Sequence, residues 1–296
     1  MIVHGNAILA GVLLGFMFRL FLLRMDYRQY PSYPHGYITH LAFGFIAAIL
    51  GAVAVPALMA KEYTAVTFLT LAAQQFREIR NMERNSLRKL DESELVPRGP
   101  DYIEGIARVF EGRNYLAIIV ALVTSTVTIW QNIIVGIAAG IALSLLLGPL
   151  RKGKSMADIV IARLGNIRFD GPNLYVDDIL IMNVGLSSSR QLMLKYGVGV
   201  VLEPKNDDAR ATLANLGQRQ AVAHEVATLL GVRKDVDEPE FTPLCRLNVA
   251  TGRAALFIVP VEPDKNLAVE AVKKVPVLES AVRLPLRTVI GQIASD

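Results

Sequence analysis

Residues 115–150 read YLAIIVALVTSTVTIWQNIIVGIAAGIALSLLLGPL, thirty-six consecutive positions without a charged side chain. A single helix of that length would rise about 54 Å, whereas the hydrocarbon core of a bilayer is about 30 Å thick. The stretch therefore predicts two short membrane crossings that fold back near Trp130, Gln131 and Asn132, so that the chain returns to the side from which it started. One long tilted helix is the alternative, because these three residues form only a weak helix breaker.

Two further apolar stretches precede this one. Residues 6–23 carry a single charge, on Arg19, which is close enough to the end of the stretch for its guanidinium to snorkel. Residues 38–60 are long enough to cross despite His40 and Pro56. A cleaved signal peptide is disfavoured, because no Lys or Arg precedes the first apolar run and no small-residue cleavage site follows it. The sequence thus predicts about four transmembrane helices in contact with a lipid bilayer.

The composition indicates a chain that is part membrane and part soluble. Its hydrophobic fraction is 52%, its mean hydropathy is +0.38, and 20% of its residues are charged. The pI of 9.2 reflects a small basic excess without any basic run interleaved with aromatic residues, which argues against nucleic acid as a partner. Cys245 is the only cysteine, so one chain can build neither a disulfide nor a thiolate metal site.

The distribution of arginines predicts the orientation. The loop 61–114 is rich in arginine, and Arg151, Lys152 and Lys154 follow the last apolar stretch, so both segments and the C-terminal half are expected in the cytoplasm. Residues 63–76 fit a re-entrant or interfacial helix. If they cross instead, the chain has five crossings and its N-terminus lies outside. Residues 74–90 predict an amphipathic helix, which we expect to pack on the next domain rather than on anionic lipid.

Beyond residue 151 the pattern predicts an α+β domain. Asp170-Gly171 indicates a β-hairpin, and residues 179–184 read as a buried strand. The predicted elements that follow are strand 197–202, helix 207–230, strands 244–249 and 254–259, helix 266–274 and strand 281–284. That order, βαββαβ, predicts a ferredoxin-like cytosolic domain. The chain then divides into transmembrane helices (1–60), a cytosolic segment (61–114), a transmembrane hairpin (115–150) and the α+β domain (151–296).

Carboxylates provide the first candidate catalytic residues. Glu104 and Glu111 share a helical face just before the long apolar stretch, and a carboxylate at membrane depth is costly unless it is paired or used. The alternative is that Arg108 and Arg113 neutralise them. Asp170 with Asp177 or Asp178 could form a catalytic dyad, although Asp-Gly favours a simple turn.

Two other groupings are weaker. Ser187, Ser188 or Ser189 with Lys195 could form a Ser–Lys pair, but Gly-Leu-Ser-Ser-Ser is typical of a helix start. His35 and His40 with Glu104 or Glu111 do not match the spacing of zinc proteases. We therefore predict no metal site and no cofactor, and no partner-binding residue is identified.

Residues 102–107 read YIEGIA. This segment resembles, letter for letter, the signature of the YIEGIA family, membrane proteins of endospore-forming Firmicutes that are linked to sporulation. The resemblance extends over most of the chain and implies a sporulation protein with a small capping-type protein partner. It supplies no active-site motif. Just upstream, residues 95–99 (LVPRG) look like a thrombin recognition sequence, which we interpret as coincidence.

The leading functional hypothesis is a multi-pass protein of the cell membrane that carries out or regulates proteolysis of a cytosolic protein, controlled by small protein partners. The protease class rests on the setting of the family rather than on a motif, so the sequence leaves open whether the chain is an enzyme. Two alternatives remain. One is a scaffold that docks a partner through its cytosolic domain. The other is a channel or transport subunit, suggested by hydroxyls such as Thr67, Thr70, Thr124 and Thr128, which would enclose a pathway only as a homo-oligomer.

Overall fold

The computed structural model describes residues 4–26, 34–76, 78–147, 153–235 and 238–294. The chain divides into two compact units. The helical unit comprises Met1–Arg84 and Ala107–Lys152, and the α+β unit comprises Asn85–Ile106 and Gly153–Asp296. Each unit is therefore built from two separate parts of the chain.

Six α-helices lie before residue 147 in the part of the chain that the structure describes. They are α1 (Gly5–Asp26), α2 (Pro34–Met59), α3 (Tyr63–Phe76), α4 (Ile79–Asp91), α5 (Pro100–Trp130) and α6 (Ile133–Leu146). By length and composition, three segments can cross a membrane: Gly5–Leu23, Tyr37–Met59 and Pro100–Trp130. Because α3 and α6 have only 14 residues each, both are shorter than a helix that spans a bilayer alone. The structure thus has three such helices among its described residues, where the sequence predicted about four.

The predicted break near Trp130 is confirmed. Helix α5 ends at Trp130, and α6 begins at Ile133 with Asn132 as its N-cap, whose side-chain oxygen accepts the Val135 N–H at 3.0 Å. The first arm, however, begins at Pro100 rather than at residue 115. Residues 101–114 contain no proline, and a proline such as Pro100 is favoured in the first turn of a helix.

Small residues bring the long helices of the helical unit close together. Gly11 of α1 lies against Ala121 of α5, where an added Cβ would be 2.7 Å from the Ala121 carbonyl oxygen. Gly51 of α2 lies against the backbone of Ile118. The Ser125 hydroxyl donates to the Ala52 carbonyl at 2.8 Å, which joins α5 to α2. This is the packing expected of helices that associate in lipid.

Helix α3 runs back along α2. Leu69 and Ala72 of α3 pack in one apolar cluster with Leu50 of α2, Phe110 of α5 and Ile79 of α4. Ile79 at the start of α4 is buried in this cluster of the helical unit, whereas the residues of α4 from Asn85 onward belong to the α+β unit.

The α+β unit contains the remaining elements. They are α7 (Met156–Ile159), β1 (Val160–Gly165), β2 (Ile167–Asp170), β3 (Asn173–Val176), β4 (Ile179–Asn183), α8 (Ser187–Tyr196), β5 (Val198–Pro204), α9 (Asp207–Ala214), α10 (Leu216–Leu230), β6 (Lys234–Asp235), β7 (Glu238–Pro239), β8 (Leu244–Leu247), β9 (Ala254–Ile258), α11 (Lys265–Lys274), a 3-10 turn (Pro285–Arg287) and α12 (Val289–Ile293). The predicted hairpin is confirmed as β2–β3, with Gly171 at a φ of +58° in its turn.

The main sheet is antiparallel, in the order β1-β5-β9-β8. One face, including Val200 and Leu256, packs against α10 and α11. The other face, including Val201 and Phe257, packs against residues of β3, β4 and α8. A ferredoxin-like fold has its helices on one face of the sheet, as is observed here for α10 and α11. The layer of β3, β4 and α8 on the opposite face was not predicted.

The last strand of the predicted ferredoxin-like order is wrong. Residues 281–284 form no strand, and the position beside β5 is occupied by β1, which pairs along six residues from Val160–Pro204 to Gly165–Gly199. Because β1 already covers that edge of β5, the later segment has no strand to pair with. The observed unit is an α+β domain in which helices pack on antiparallel β-sheets.

Residues 95–99 are held inside the α+β unit and do not form an open linker. Val96 is buried, and its carbonyl accepts the Nδ1–H of His224 at 2.6 Å. The Asp91 carboxylate accepts the backbone N–H groups of Arg98 and Gly99 at 2.7 and 3.2 Å.

We expect native full-length protein to resist thrombin at Arg98, because a protease must draw its target out as an extended strand. Asp91→Ala should accelerate cleavage, since two buried N–H groups lose their acceptor at a cost of about 1–3 kcal/mol. Cleavage is followed by gel electrophoresis, with urea-unfolded protein as the positive control. Equal cleavage rates for native and unfolded chain would contradict the observed packing.

Candidate membrane-embedded acid–base site

Four polar side chains are buried around the ring of Phe110 in the helical unit. Arg19 comes from α1, His40 from α2, Glu83 from α4 and Asn114 from α5. Their exposed fractions are 1%, 2%, 4% and 0%. We call these four residues and Phe110 the buried cluster.

Two pairs make up the buried cluster. The Arg19 Nε donates to the Asn114 Oδ1 at 2.8 Å, and the Arg19 guanidinium carbon lies 5.3 Å from the centre of the Phe110 ring. The His40 ring stacks on the same Phe110 ring, with the centres 4.2 Å apart. The His40 Nε2 lies 3.4 Å from the Glu83 Oε1. Phe110 therefore contacts both the guanidinium and the imidazole.

Gly44 makes room for Arg19. A Cβ at position 44 would lie 2.5 Å from the Arg19 Cγ, so the arginine side chain crosses α2 where α2 has no side chain. This passage directs the guanidinium inward. Arg19 is thus buried among the helices, and the expectation that its guanidinium reaches the membrane surface stays a prediction.

Asn114 has a fixed orientation. Arginine can only donate hydrogen bonds, so the atom of Asn114 that faces the Arg19 Nε must be the oxygen. The Asn114 Nδ2 is then a buried donor with no hydrogen-bond acceptor among the described residues. A buried donor of this kind can bind the carbonyl oxygen of another molecule.

The buried cluster combines two chemical functions. A carboxylate beside an imidazole can take up and release a proton. A guanidinium beside an amide N–H can stabilise negative charge that develops on an oxygen. All four polar side chains are buried, and electrostatic interactions between buried groups are stronger than in bulk water.

Glu104 and Glu111 lie outside the buried cluster. They are seven residues apart on α5, which corresponds to about 10.5 Å of helix rise, and they belong to different compact units. The Glu111 carboxylate accepts the Tyr115 hydroxyl at 3.3 Å. His40 pairs with Glu83, and the side chain of His35 lies outside the described residues.

The structure does not bring Asp170 and Asp177 together. Asp170 lies at the turn of the β2–β3 hairpin, whereas Asp177 lies at its opposite end, about 10 Å away along the strands. Asp178 forms an ion pair with Arg253 at 2.9 Å.

Asp177 has a structural role. Its carboxylate accepts the Asn166 N–H at 2.7 Å and an Arg163 N–H at 2.8 Å. Partial burial opposes ionisation, but these two donors outweigh it and lower the pKa of Asp177 below its ordinary value. The carboxylate therefore holds the end of the hairpin in place.

The other groupings predicted from sequence are also separated. Residues 187–189 start α8 and Lys195 lies near its end, at least six residues or about 9 Å away, with its ammonium over the Tyr196 ring.

Burial raises the pKa of the Cys245 thiol to about 12, so it is not a thiolate at neutral pH. Where the structure is described, no three His, Cys, Asp or Glu side chains form a group that could hold a metal ion.

Hydroxyls in the apolar helices bond to backbone. The hydroxyls of Thr67, Thr70, Thr124 and Thr128 each donate to the carbonyl four residues earlier, at 2.8–3.0 Å. These bonds favour a packing role over the lining of a pathway.

The signature at residues 102–107 has a packing role in the α+β unit. The Tyr102 hydroxyl donates to Glu225 at 2.8 Å, and Ile103 and Ile106 are buried. At Gly105 an added Cβ would lie 2.5 Å from the Ser280 Oγ. The signature thus fixes the start of α5.

The sequence analysis did not identify Glu83 as a site residue, because an amphipathic helix carries many charged side chains and most of them face solvent. One signal was present: the apolar stripe of that helix passes through Met82 or Glu83. In the structure Met82 is 52% exposed and Glu83 is 4% exposed. A carboxylate on the apolar stripe indicates a buried partner, but the sequence does not reveal that the partner is His40.

Comparisons with known proteins agree with the resemblance seen in the sequence. The model of the family described as "YIEGIA protein" matches residues 7–288. The uncharacterized protein YphB of Bacillus subtilis (strain 168) is 47% identical over 285 residues, which cover 96% of each chain. No solved structure matches. The chain therefore belongs to the YIEGIA family.

Proposed function

We propose that the chain is a multi-pass protein of the cell membrane in sporulating cells that carries out, or regulates, proteolysis of a cytosolic protein. The observation that carries this proposal is the buried cluster in the helical unit. Ionisable groups inside membrane helices are costly, rare and usually functional. The resemblance to a sporulation-linked family supports the setting and a small protein partner.

The buried cluster has the components that hydrolysis of a peptide bond requires. Glu83 takes a proton from a water whose oxygen attacks the carbonyl carbon, while His40 orients the carboxylate. Arg19 and the Asn114 Nδ2 stabilise the negative charge on the carbonyl oxygen. As the C–N bond breaks, the proton passes to the departing nitrogen. The two products are a new carboxylate and a new amine.

The buried cluster lies close to one end of the crossing helices. Arg19 is four residues before Leu23, and His40 is three residues after Tyr37, distances of about 6 and 4.5 Å along the helices. A cytosolic polypeptide can therefore reach this depth without crossing the bilayer.

The same contact favours five crossings. Glu83 meets His40 at the start of α2, whereas Met59 at the end of α2 is nineteen residues, or about 29 Å, away. Residues 60–78 would therefore return over about one bilayer thickness, which supports this whole segment, with the 14-residue α3 as its helical part, as a fifth crossing and an N-terminus outside the cell.

In our proposal, α5 and α6 form a helical hairpin whose two ends lie on the same side of the membrane. Asn85–Ile106 and Gly153–Asp296 fold into one unit, and a compact polar unit lies on one side of a bilayer. Residues 107–152 must therefore leave and return to that side, which supports α5 and α6 as two arms. The arginine-rich loop assigns this side to the cytoplasm.

Glu62→Cys and Glu92→Cys, each in a Cys245→Ala background, test this arrangement. We expect a membrane-impermeant maleimide to label position 62 in intact cells, and position 92 only after lysis. Both positions are exposed, so the pair is matched in accessibility. Protection of position 62 in intact cells, with labelling after lysis, would support the four-crossing alternative and contradict the proposal.

The proteolytic role is tested in vegetative cells that express the chain without its sporulation partners. Whole-proteome mass spectrometry should show selective loss of one or a few cytosolic proteins. Glu83→Gln keeps an oxygen towards His40 but cannot act as a base, so it should slow the loss about 100-fold or more. Glu111→Gln is the control and should leave the loss unchanged.

The abundance of each variant in the membrane fraction is measured in parallel, so that loss of activity is separated from loss of protein. An unchanged proteome with normally inserted wild-type chain would reject proteolysis by this protein and leave the scaffold as the better account.

A further inference from the structure

Strand β8 is the edge of the main sheet in the α+β unit. The order β1-β5-β9-β8 leaves one side of β8 without a neighbouring strand in its sheet. An edge strand presents backbone N–H and C=O groups to which an extended peptide can bind.

Two cavities adjoin along β8. One has a volume of about 680 Å³ and is lined by Asp178, by residues 179–183 of β4 and by residues 246–248. The other, about 240 Å³, is lined by residues 96–99, by the start of α10 and by residues 242–246. Arg246 lines both cavities, and the two linings together include every residue of β8, Leu244–Leu247.

The smaller cavity is basic and otherwise largely apolar. Its lining includes Arg98, Arg219 and Arg246 and no carboxylate. Arg98 Nη1 faces Asp91 and Glu94 at 3.5 and 3.4 Å. The apolar part of the lining includes Val96, Leu216, Ala223 and Leu244.

Two arginines that line this cavity each have a guanidinium N–H group without a hydrogen-bond partner among the described residues. The Nε atoms of Arg98 and Arg219 are buried, and neither has a hydrogen-bond partner among the described residues. Arg98 itself is only 4% exposed. Buried donors without acceptors indicate a site for an anion.

We propose that the α+β unit binds the C-terminal end of an extended polypeptide along β8. The terminal carboxylate contacts Arg219 and Arg98, and an apolar last side chain fills the smaller cavity. The preceding residues lie in the larger cavity, so the peptide runs antiparallel to β8. This inference deepens the proposed function, on which it rests, by assigning how a substrate or partner is recognised.

The shape of the site favours a peptide terminus over other anions. A volume of about 240 Å³ is below the range of about 300–1,000 Å³ that encloses drug-sized ligands, which favours a small group such as one side chain and its carboxylate in this cavity. A carboxylate has two oxygens that match the planar guanidinium. The continuation along β8 suits an extended chain attached to that carboxylate.

Fluorescence anisotropy with the full chain in lipid nanodiscs tests the inference. The probe is the hexapeptide Gly-Ser-Thr-Val-Thr-Leu, labelled at its N-terminus and prepared with a free carboxylate or a C-terminal amide. We expect the acid to bind about tenfold tighter than the amide or more. Replacing the last leucine by aspartate should weaken binding similarly, because the cavity around the carboxylate is apolar.

Arg219→Gln should abolish the preference for the acid. Arg190→Gln is the matched control, since that guanidinium also donates to a backbone carbonyl, that of Gly171, outside the cavity. Equal binding of acid and amide, no binding up to about 1 mM, or a preference that survives Arg219→Gln would overturn the inference.

Binding is also measured in the Glu83→Gln background, where hydrolysis is not expected. Peptide binding by a wild-type chain that shows no proteolysis would reject the protease and retain the docking site. Proteolysis without peptide binding would reject the docking site alone. The two proposals therefore fail independently.

Discussion

The packing of Arg19 and His40 on the ring of Phe110 is the interaction on which the helical unit depends. Burying a guanidinium costs several kcal/mol unless hydrogen bonds and an aromatic face compensate it. Here Asn114 and Phe110 provide that compensation for Arg19, as Glu83 does for His40. Well-packed apolar side chains often stabilise a buried position as well as ions do. Stability alone therefore does not explain the buried cluster, and this supports our proposal that it is reactive.

The contact between His40 and Glu83 in the buried cluster constrains the path of the chain. Because Glu83 reaches the start of α2, the intervening residues must run back along that helix, and α3 packs on α2 as this requires. The α+β unit imposes a second constraint, since it includes Asn85–Ile106 as well as the C-terminal part. Pairs of residues distant in sequence thus favour the five-crossing topology that we propose and that hydropathy alone left open.

Local signals in the sequence predicted the local structure. The polar residues after Trp130 ended a helix, and Asp170-Gly171 formed a hairpin, since both depend on neighbouring residues only. The last strand of the α+β unit was wrongly predicted because β1, some 120 residues earlier, competes for the same edge of β5. The pairing of His40 with Glu83 was missed for the same reason: it joins residues that are 43 positions apart.

The most direct test is whether the purified chain itself hydrolyses protein. The full chain, reconstituted in lipid vesicles, is incubated with cytosolic extract, and new N-termini are identified by mass spectrometry. Our account predicts a small set of new N-termini that are absent with Glu83→Gln. The same set with Glu83→Gln, or no new N-termini with the wild-type chain, would contradict the assignment of the buried cluster as a proteolytic site.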